Sequence, residues 1–405
     1  MPTRRDILRR TTLSLAGTGI CLSRSLSAAD SPLIPAPRRS DGKDLIADPR
    51  SISMPSDRYF GWPTLTQTQK GELILVASGG REQHVCPFGR VDLFRSRDEG
   101  KNWTFARTIH DGPIDDRDAG IVETSKGTLL VTTFTSLAYV PQFKKALAQS
   151  EQGADGWSAS RLQAWQAAHR RVEDGQHEQH LGTWMLRSTD NGTSWSTPYR
   201  VPLNSPHGPC QLASGALLYA GKSLWQTPTR VGVCISDDDG VTWNWLSDIP
   251  PRPGDSIDRY HELHAVQTKS GRVIVHIRNH NSANDRETLQ TVSDDGGRSW
   301  TEPVAIGVWG LPSHLMNLAD GRVLMTYGHR RSPLGIQARL SADDGDHWSD
   351  AMILYGQGKT SDLGYPSTVQ LSSGEMLTAW YEVLPDEGPR SHIRSGRWML
   401  PTPVV

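Results

Sequence analysis

Counted back nine positions from each of six glycine turns, the chain presents Trp62, Asp118, Pro206, Glu262, Pro312 and Tyr365. Past the same turns lie Arg278, Arg330 with Arg331, and Glu382. Groups at equivalent points of a repeat wound about one axis converge on one mouth. A phenol, three carboxylates and several guanidinium groups, remote along the chain, are therefore expected to meet. Such a set can transfer protons and hold an anion through paired N–H donors.

The elements that must position these groups are repeats. The pattern Ser-x-Asp-x-Gly-x-x-Trp occurs five times, ending at Trp103, Trp195, Trp243, Trp300 and Trp348. Each copy follows a β-like run, and its chemistry is that of a tight hairpin. The Asp accepts hydrogen bonds from turn amides, Gly supplies the positive φ, and Trp packs the turn on its neighbours. A second repeat, a glycine turn followed by an apolar β run, starts at Gly71, Gly127, Gly215, Gly271, Gly321 and Gly374. Six such hairpins against five boxes is what a six-bladed all-β propeller with chain closure gives. The sixth blade ends with a strand near residues 391–398, so its fourth strand is expected from residues 48–54. Turns and boxes then share one face, and the candidate residues share the other. Blade two carries a long interruption at about 138–182, with a helix-like run at 158–172 and Ser160 as its candidate cap.

The composition of 405 residues, with 38 Gly, 26 Pro, 14 Trp and a net charge of −1, suits one large β domain and gives no basic excess for nucleic acid. Arg4-Arg5 precede an apolar stretch from about Thr11 to Leu22 and then Ser27-Ala28-Ala29. That order reads as a twin-arginine export signal over residues 1–29, with export to the periplasm or beyond. A linker is expected at 30–44 and the propeller at 45–405. No later apolar run is long enough to span a bilayer. Cys86, Cys210 and Cys234 make an odd set in the mature chain, read as small buried hydrophobes rather than a disulfide scaffold.

The box is the Asp-box of sialidase-type propellers, and the chain resembles the sialidase (neuraminidase) superfamily over roughly residues 45–400. The stretch HELHAVQTKSGRVIVHIRN, with Glu262 and Arg278, is similar to that family's segment carrying a general-base Glu and a substrate-binding Arg. The stretch LGYPSTVQLSSGEMLTAWYE, with Tyr365 and Glu382, looks like the segment carrying the nucleophilic Tyr and a Glu that orients an Arg. The resemblance implies an exo-acting glycosidase that releases sialic acid or a related acidic sugar from a glycan, with no cofactor and no metal. Sialic acid carries a carboxylate on its anomeric carbon, so a neutral Tyr approaches it without the repulsion a carboxylate nucleophile meets. Glu262 is then the base for Tyr365, while Arg278 with Arg330 or Arg331 grips the carboxylate.

Two departures accompany this resemblance. The family's first-blade Phe-Arg-Ile-Pro stands here as Phe60-Gly61-Trp62-Pro63, so the first Arg is absent, and residues 80–90 contain no Asp for the expected acid. The run Asp115-Asp116-Arg117-Asp118 offers substitutes: Arg117 for the missing guanidinium, and Asp118 or Asp116 as the acid or a sugar-hydroxyl ligand. Arg81 and His84 on the neighbouring loop are further candidates to bind substrate, and Arg58 reads as surface. His207, His261, His264, His314 and His329 also fall at or near the mouth segments, where sugar hydrogen bonding is their expected use. Two rival readings stay open from the sequence: a lyase or hydrolase of uronic-acid glycans, and a glycan-binding propeller without catalysis.

Overall fold

The computed structural model describes residues 44–54, 58–153, 156–283, 287–384 and 390–401. The expected signal peptide and nearly all of the expected linker lie outside them. Six four-stranded antiparallel sheets form six blades. In blade one, the strands are Tyr59–Gln67, Leu73–Arg81, Arg90–Ser96 and Arg107–His110. The first strands of blades two, four and six are Asp115–Glu123, Tyr260–Gln267 and Leu363–Gln370. In blades three and five the first strands are shorter, Cys210–Gln211 and Ser313–Asn317.

Each box is closed by its Ser as well as its Asp. Ser96 Oγ accepts from Gly100 N at 2.8 Å and donates to Asp98 at 2.8 Å, while Asp98 accepts from Asn102 N at 2.9 Å. The same three bonds recur in the other four boxes; in the last, Ser341 takes Gly345 N at 2.9 Å and Asp343 takes His347 N at 3.0 Å. These bonds hold the box carboxylates low, with Asp98 at about 2, chiefly through the Asn102 amide. Gly100 stands at φ +81°, where its missing Cβ clears Leu377 of blade six. Each box Trp packs on the apolar junction with the preceding blade: Trp103 on the blade six and one cluster, Trp195 on that of one and two. The box is thus the latch between blades, and apolar burial between sheets holds the ring together.

The junction of blades five and six has no box. There the N-terminal segment supplies the contacts: Arg50 and Ser51 pair with Ser395 and Arg394, and Leu45 and Ile46 donate to Ile353 and Leu354 of blade five. Ile46, fully buried, sits among Leu340, Trp380 and Trp398.

The insertion in blade two holds two helices, α1 (Val140–Glu151) and α2 (Ala159–His169). The cap of α2 is Ser158, whose side chain accepts from Arg161 N, rather than the expected Ser160. Ser160 already lies in the first turn, and its Oγ meets that of Ser158. The sequence reading missed α1, which begins with Pro141 in its first turn, a position where the absent N–H costs nothing. Among the described residues, no helix is long and apolar enough to cross a membrane.

Candidate active site

Four residues with a Cβ adopt left-handed backbone angles at one point of the repeat: Trp62 at φ +56°, Asp118 at +48°, Glu262 at +45° and Tyr365 at +51°. Each sits where the pairing of the first two strands slips, between Gly61 and Thr64, Arg117 and Gly120, His261 and His264, and Gly364 and Ser367. A bulge there turns the side chain out of the alternating pattern and toward the axis. Such angles cost on the order of 1–3 kcal/mol for a non-glycine residue, so the surrounding structure must impose them. The equivalent positions in blades three and five are Pro206 and Pro312, whose ring forbids positive φ, and they precede the first strands there. The ring of inward groups therefore has four members.

Tyr365 and Glu262 meet directly. The phenol donates to Glu262 Oε1 at 2.7 Å, and Arg278 Nη1 donates to both Glu262 oxygens, at 2.7 and 2.5 Å, and to Tyr365 Oη at 3.1 Å. Burial and the facing Glu262 raise the Tyr365 phenol well above its ordinary value. Burial pushes Glu262 up as well, but Arg278 and the phenol's hydrogen bond outweigh it and leave the carboxyl lowered. The resting pair is a neutral phenol hydrogen-bonded to a carboxylate. Arg278 directs Nε to His280 and Nη1 to this pair, which leaves Nη2 for a ligand.

The acidic run of blade two alternates its partners. Asp115 holds Arg81, Asp116 accepts from Gly112 N at 2.6 Å and meets His110 at 3.3 Å, and Arg117 lies over the Trp62 ring at 4.4 Å. Asp118 turns to the mouth, within electrostatic reach of Glu262 and Tyr365. Burial pushes its carboxyl up to about 7 against the opposing pull of Arg117, and Glu262 raises it further. Its Oδ1 is buried without a hydrogen-bond partner. Asp118, not Asp116, is the carboxyl of this run that faces Glu262 and Tyr365.

Arg330 reaches the mouth: it donates to Leu363 O at 2.9 Å and Tyr381 Oη at 3.3 Å, with its guanidinium 6.0 Å from the Tyr365 ring. Three expected substrate-binding residues stand elsewhere. Arg331, exposed, lies over Trp309, because adjacent residues leaving the strand Val323–His329 point oppositely. Glu382, 1% exposed, pairs with Arg394 at 2.9 Å and accepts from Tyr355 Oη at 3.2 Å; strand alternation gives the mouth to Tyr381 instead. Arg81 has no exposed surface. It is locked to Asp115 by bonds of 2.7 and 3.0 Å and donates to the His84 carbonyl at 3.1 Å, so it braces the site from beneath and cannot reach a ligand. Arg58 is exposed, as expected.

Around Trp62 the sequence reading missed a polar cluster. Asp362 accepts from Tyr59 and Tyr381, each at 2.9 Å, and contacts His84 Nδ1 at 3.1 Å. Tyr381 was one residue from the chosen Glu382, whereas Tyr59 and Asp362 join across the closing junction of the ring and gave no local signal. The histidines divide. His84 stands edge-on to Trp62 at 5.0 Å, while His207, His264 and His314 lie 4.9–5.1 Å apart on the turn side, lining a cavity of about 480 Å³ away from Tyr365. His261 stands beside His280, and His329 meets the Pro333 carbonyl. Among the described residues, no three His, Cys, Asp or Glu side chains are arranged to hold a metal ion.

The family model of the BNR repeat-like domain matches residues 171–377, just over half of the chain. The chain belongs to the BNR repeat-like domain family. This sialidase-like BNR propeller superposes on solved structures of the same architecture. A protein of unknown function from Dyadobacter fermentans shares 23% identity at a TM-score of 0.70, over 88% of this chain and 98% of that one. The Hadza microbial sialidase Hz136 shares 17% at 0.60, over 86% of this chain and 66% of its own. The NanB sialidase from Streptococcus pneumoniae shares 14% at 0.59, over 88% and 71%. At these identities the likeness concerns the fold of the BNR propeller. No curated protein matches the chain.

Proposed function

We propose that this BNR propeller is an exported, exo-acting glycoside hydrolase of the sialidase type, which releases sialic acid or a related acidic sugar. The observation that carries the reading is the partly buried Tyr365–Glu262 hydrogen bond of 2.7 Å, bridged by Arg278. In the first step the Tyr365 oxygen bonds to the anomeric carbon, its proton passes to Glu262, and the bond to the leaving oxygen breaks as that oxygen is protonated. Water then displaces the phenolate, which recovers its proton from Glu262. Arg278 and Arg330, with Arg117 on the Trp62 side, form the cationic wall that takes the sugar carboxylate. Asp118, whose carboxyl burial pushes up to about 7, donates a hydrogen bond in its protonated form to a substrate oxygen on the floor of the mouth. The twin-arginine signal is the proposed export route.

The fold relatives named as sialidases support the same reaction class. The lyase reading with a His/Tyr pair places a histidine beside the catalytic phenol, and Tyr365 has a carboxylate there instead. Mature protein incubated with 3′-sialyllactose should release free sialic acid, and Tyr365→Phe should abolish release while melting as a folded protein. An undiminished rate in that variant would refute the assignment.

A further inference from the structure

We propose that His84, oriented by Asp362, is the acid that protonates the leaving oxygen. This rests on the hydrolase reading above, which requires a proton on the outer, aglycone side of the mouth and names no group there. Asp118 does not fill that place: it lies at 7% exposure on the floor, beside the Glu262 that serves the nucleophile. His84 has 45% of its side chain exposed and stands edge-on to Trp62 at 5.0 Å, whose ring in turn lies 6.4 Å from that of Tyr365.

Its protonation pattern follows from its partners. Tyr59 donates its only proton to Asp362 Oδ2, and Tyr381 donates to Oδ1. Both neighbours of His84 Nδ1, the Tyr59 oxygen at 2.9 Å and the Asp362 oxygen at 3.1 Å, are therefore acceptors. Nδ1 must carry hydrogen, and Nε2 is left as the nitrogen that gains and loses a proton. Burial works to protonate Asp362, but the bonds from His84, Tyr381 and Tyr59 prevail and keep it ionised. An ionised carboxylate behind Nδ1 fixes the ring and its tautomer, the arrangement that leaves the opposite nitrogen to meet a substrate oxygen.

The insertion of blade two supplies the backbone's rigidity. Trp165 of α2 donates to Glu82 at 2.6 Å, Arg161 donates to Gln83 at 2.8 Å, and Gln142 of α1 donates to the Val85 carbonyl at 2.8 Å. Cys86, fully buried, packs on Tyr139, Phe143 and Trp165. Every residue from Glu82 to Cys86 except His84 thus has its side chain or its carbonyl gripped by the insertion, while Arg81 holds the His84 carbonyl at 3.1 Å. The insertion positions this loop.

In the glycosylation step the imidazolium gives its Nε2 proton to the leaving oxygen as the glycosidic bond breaks and Tyr365 bonds to the sugar. In the second step neutral Nε2 takes a proton from the attacking water, which restores the imidazolium.

The test compares two leaving groups. Wild type, His84→Asn and Asp362→Asn are assayed on 3′-sialyllactose, whose leaving alkoxide needs a proton, and on 4-methylumbelliferyl sialoside, whose phenolate does not. Both variants should lose about 100-fold or more in kcat/KM on the lactoside and under about tenfold on the aryl substrate. Asp362 acts through His84, and a merely structural role would not produce this split. Equal losses on both substrates, or no loss on either, overturn the assignment and leave the hydrolase reading standing. A wild type that releases sialic acid from neither overturns both.

Discussion

Tyr365 and Glu262 lie 103 positions apart and share a hydrogen bond of 2.7 Å, each turned inward by the same left-handed kink in its own blade. The relationship is produced by the repeat rather than by local sequence. One bulge, copied at a fixed distance from the glycine turn, delivers a different side chain to the axis from each of four blades. Arg278 completes the pair and keeps the Glu262 carboxyl lowered, so the proposed base is in place before a substrate arrives.

Asp118 couples function to stability. Its carboxyl is pushed up to about 7 in the fold by burial, so between about pH 4 and pH 7 the folded chain binds a proton that the unfolded chain has released. Stability therefore falls as pH rises through that window, and the penalty is complete above about pH 7. Asp118→Asn removes it. The variant should melt with the wild type at pH 4 and gain a few kcal/mol on it at pH 8, with lower activity. Thermal melts across pH test this; an identical difference at both pH values contradicts it.

Arg330 and Arg331 are adjacent but differ in what they touch, so they should differ in effect. Arg330→Ala removes a guanidinium at the Tyr365 ring and should raise KM for a sialoside by about 10- to 100-fold, the range for a lost charge-assisted bond. Arg330→Lys should not restore it, since a point charge lacks the planar fork. Arg331→Ala should stay within about twofold of wild type. Steady-state kinetics on the three variants give the answer.

Much of this architecture is legible in sequence because it repeats. Boxes and glycine turns recur at spacings that fix six blades, and a count of nine from the turn leads to Asp118, Glu262 and Tyr365, which the structure sets side by side. Depth was not legible: Arg81 reads as a polar loop residue, yet it ends the strand Leu73–Arg81 with no exposed side chain, paired to Asp115. Nor was the facing of neighbours at a strand end, where one step separates Tyr381 from Glu382 and Arg330 from Arg331. The positive φ of Trp62, Asp118, Glu262 and Tyr365 leaves no mark of its own, because residues with a Cβ avoid it and only tertiary packing imposes it. Asp362, Tyr59 and His84 join the last blade to the first, a contact no local pattern announces.

The box serine predicts a stability effect remote from the site. Ser96→Ala leaves the partly buried Gly100 amide without its acceptor and frees Asp98, at a cost of about 1–2 kcal/mol. The urea midpoint should fall accordingly while kcat/KM stays unchanged. A midpoint equal to that of wild type would remove the latch role from the serine.

The central claim is that Tyr365 bonds to the sugar. Incubation with a 2,3-difluorinated sialic acid, which forms the glycosyl adduct quickly and hydrolyses it slowly, followed by peptide mass spectrometry, tests it most directly. The added mass of the fluorinated sugar should appear on the peptide containing Tyr365, and on no other. An active enzyme that carries no adduct, or carries it on a different residue, contradicts it.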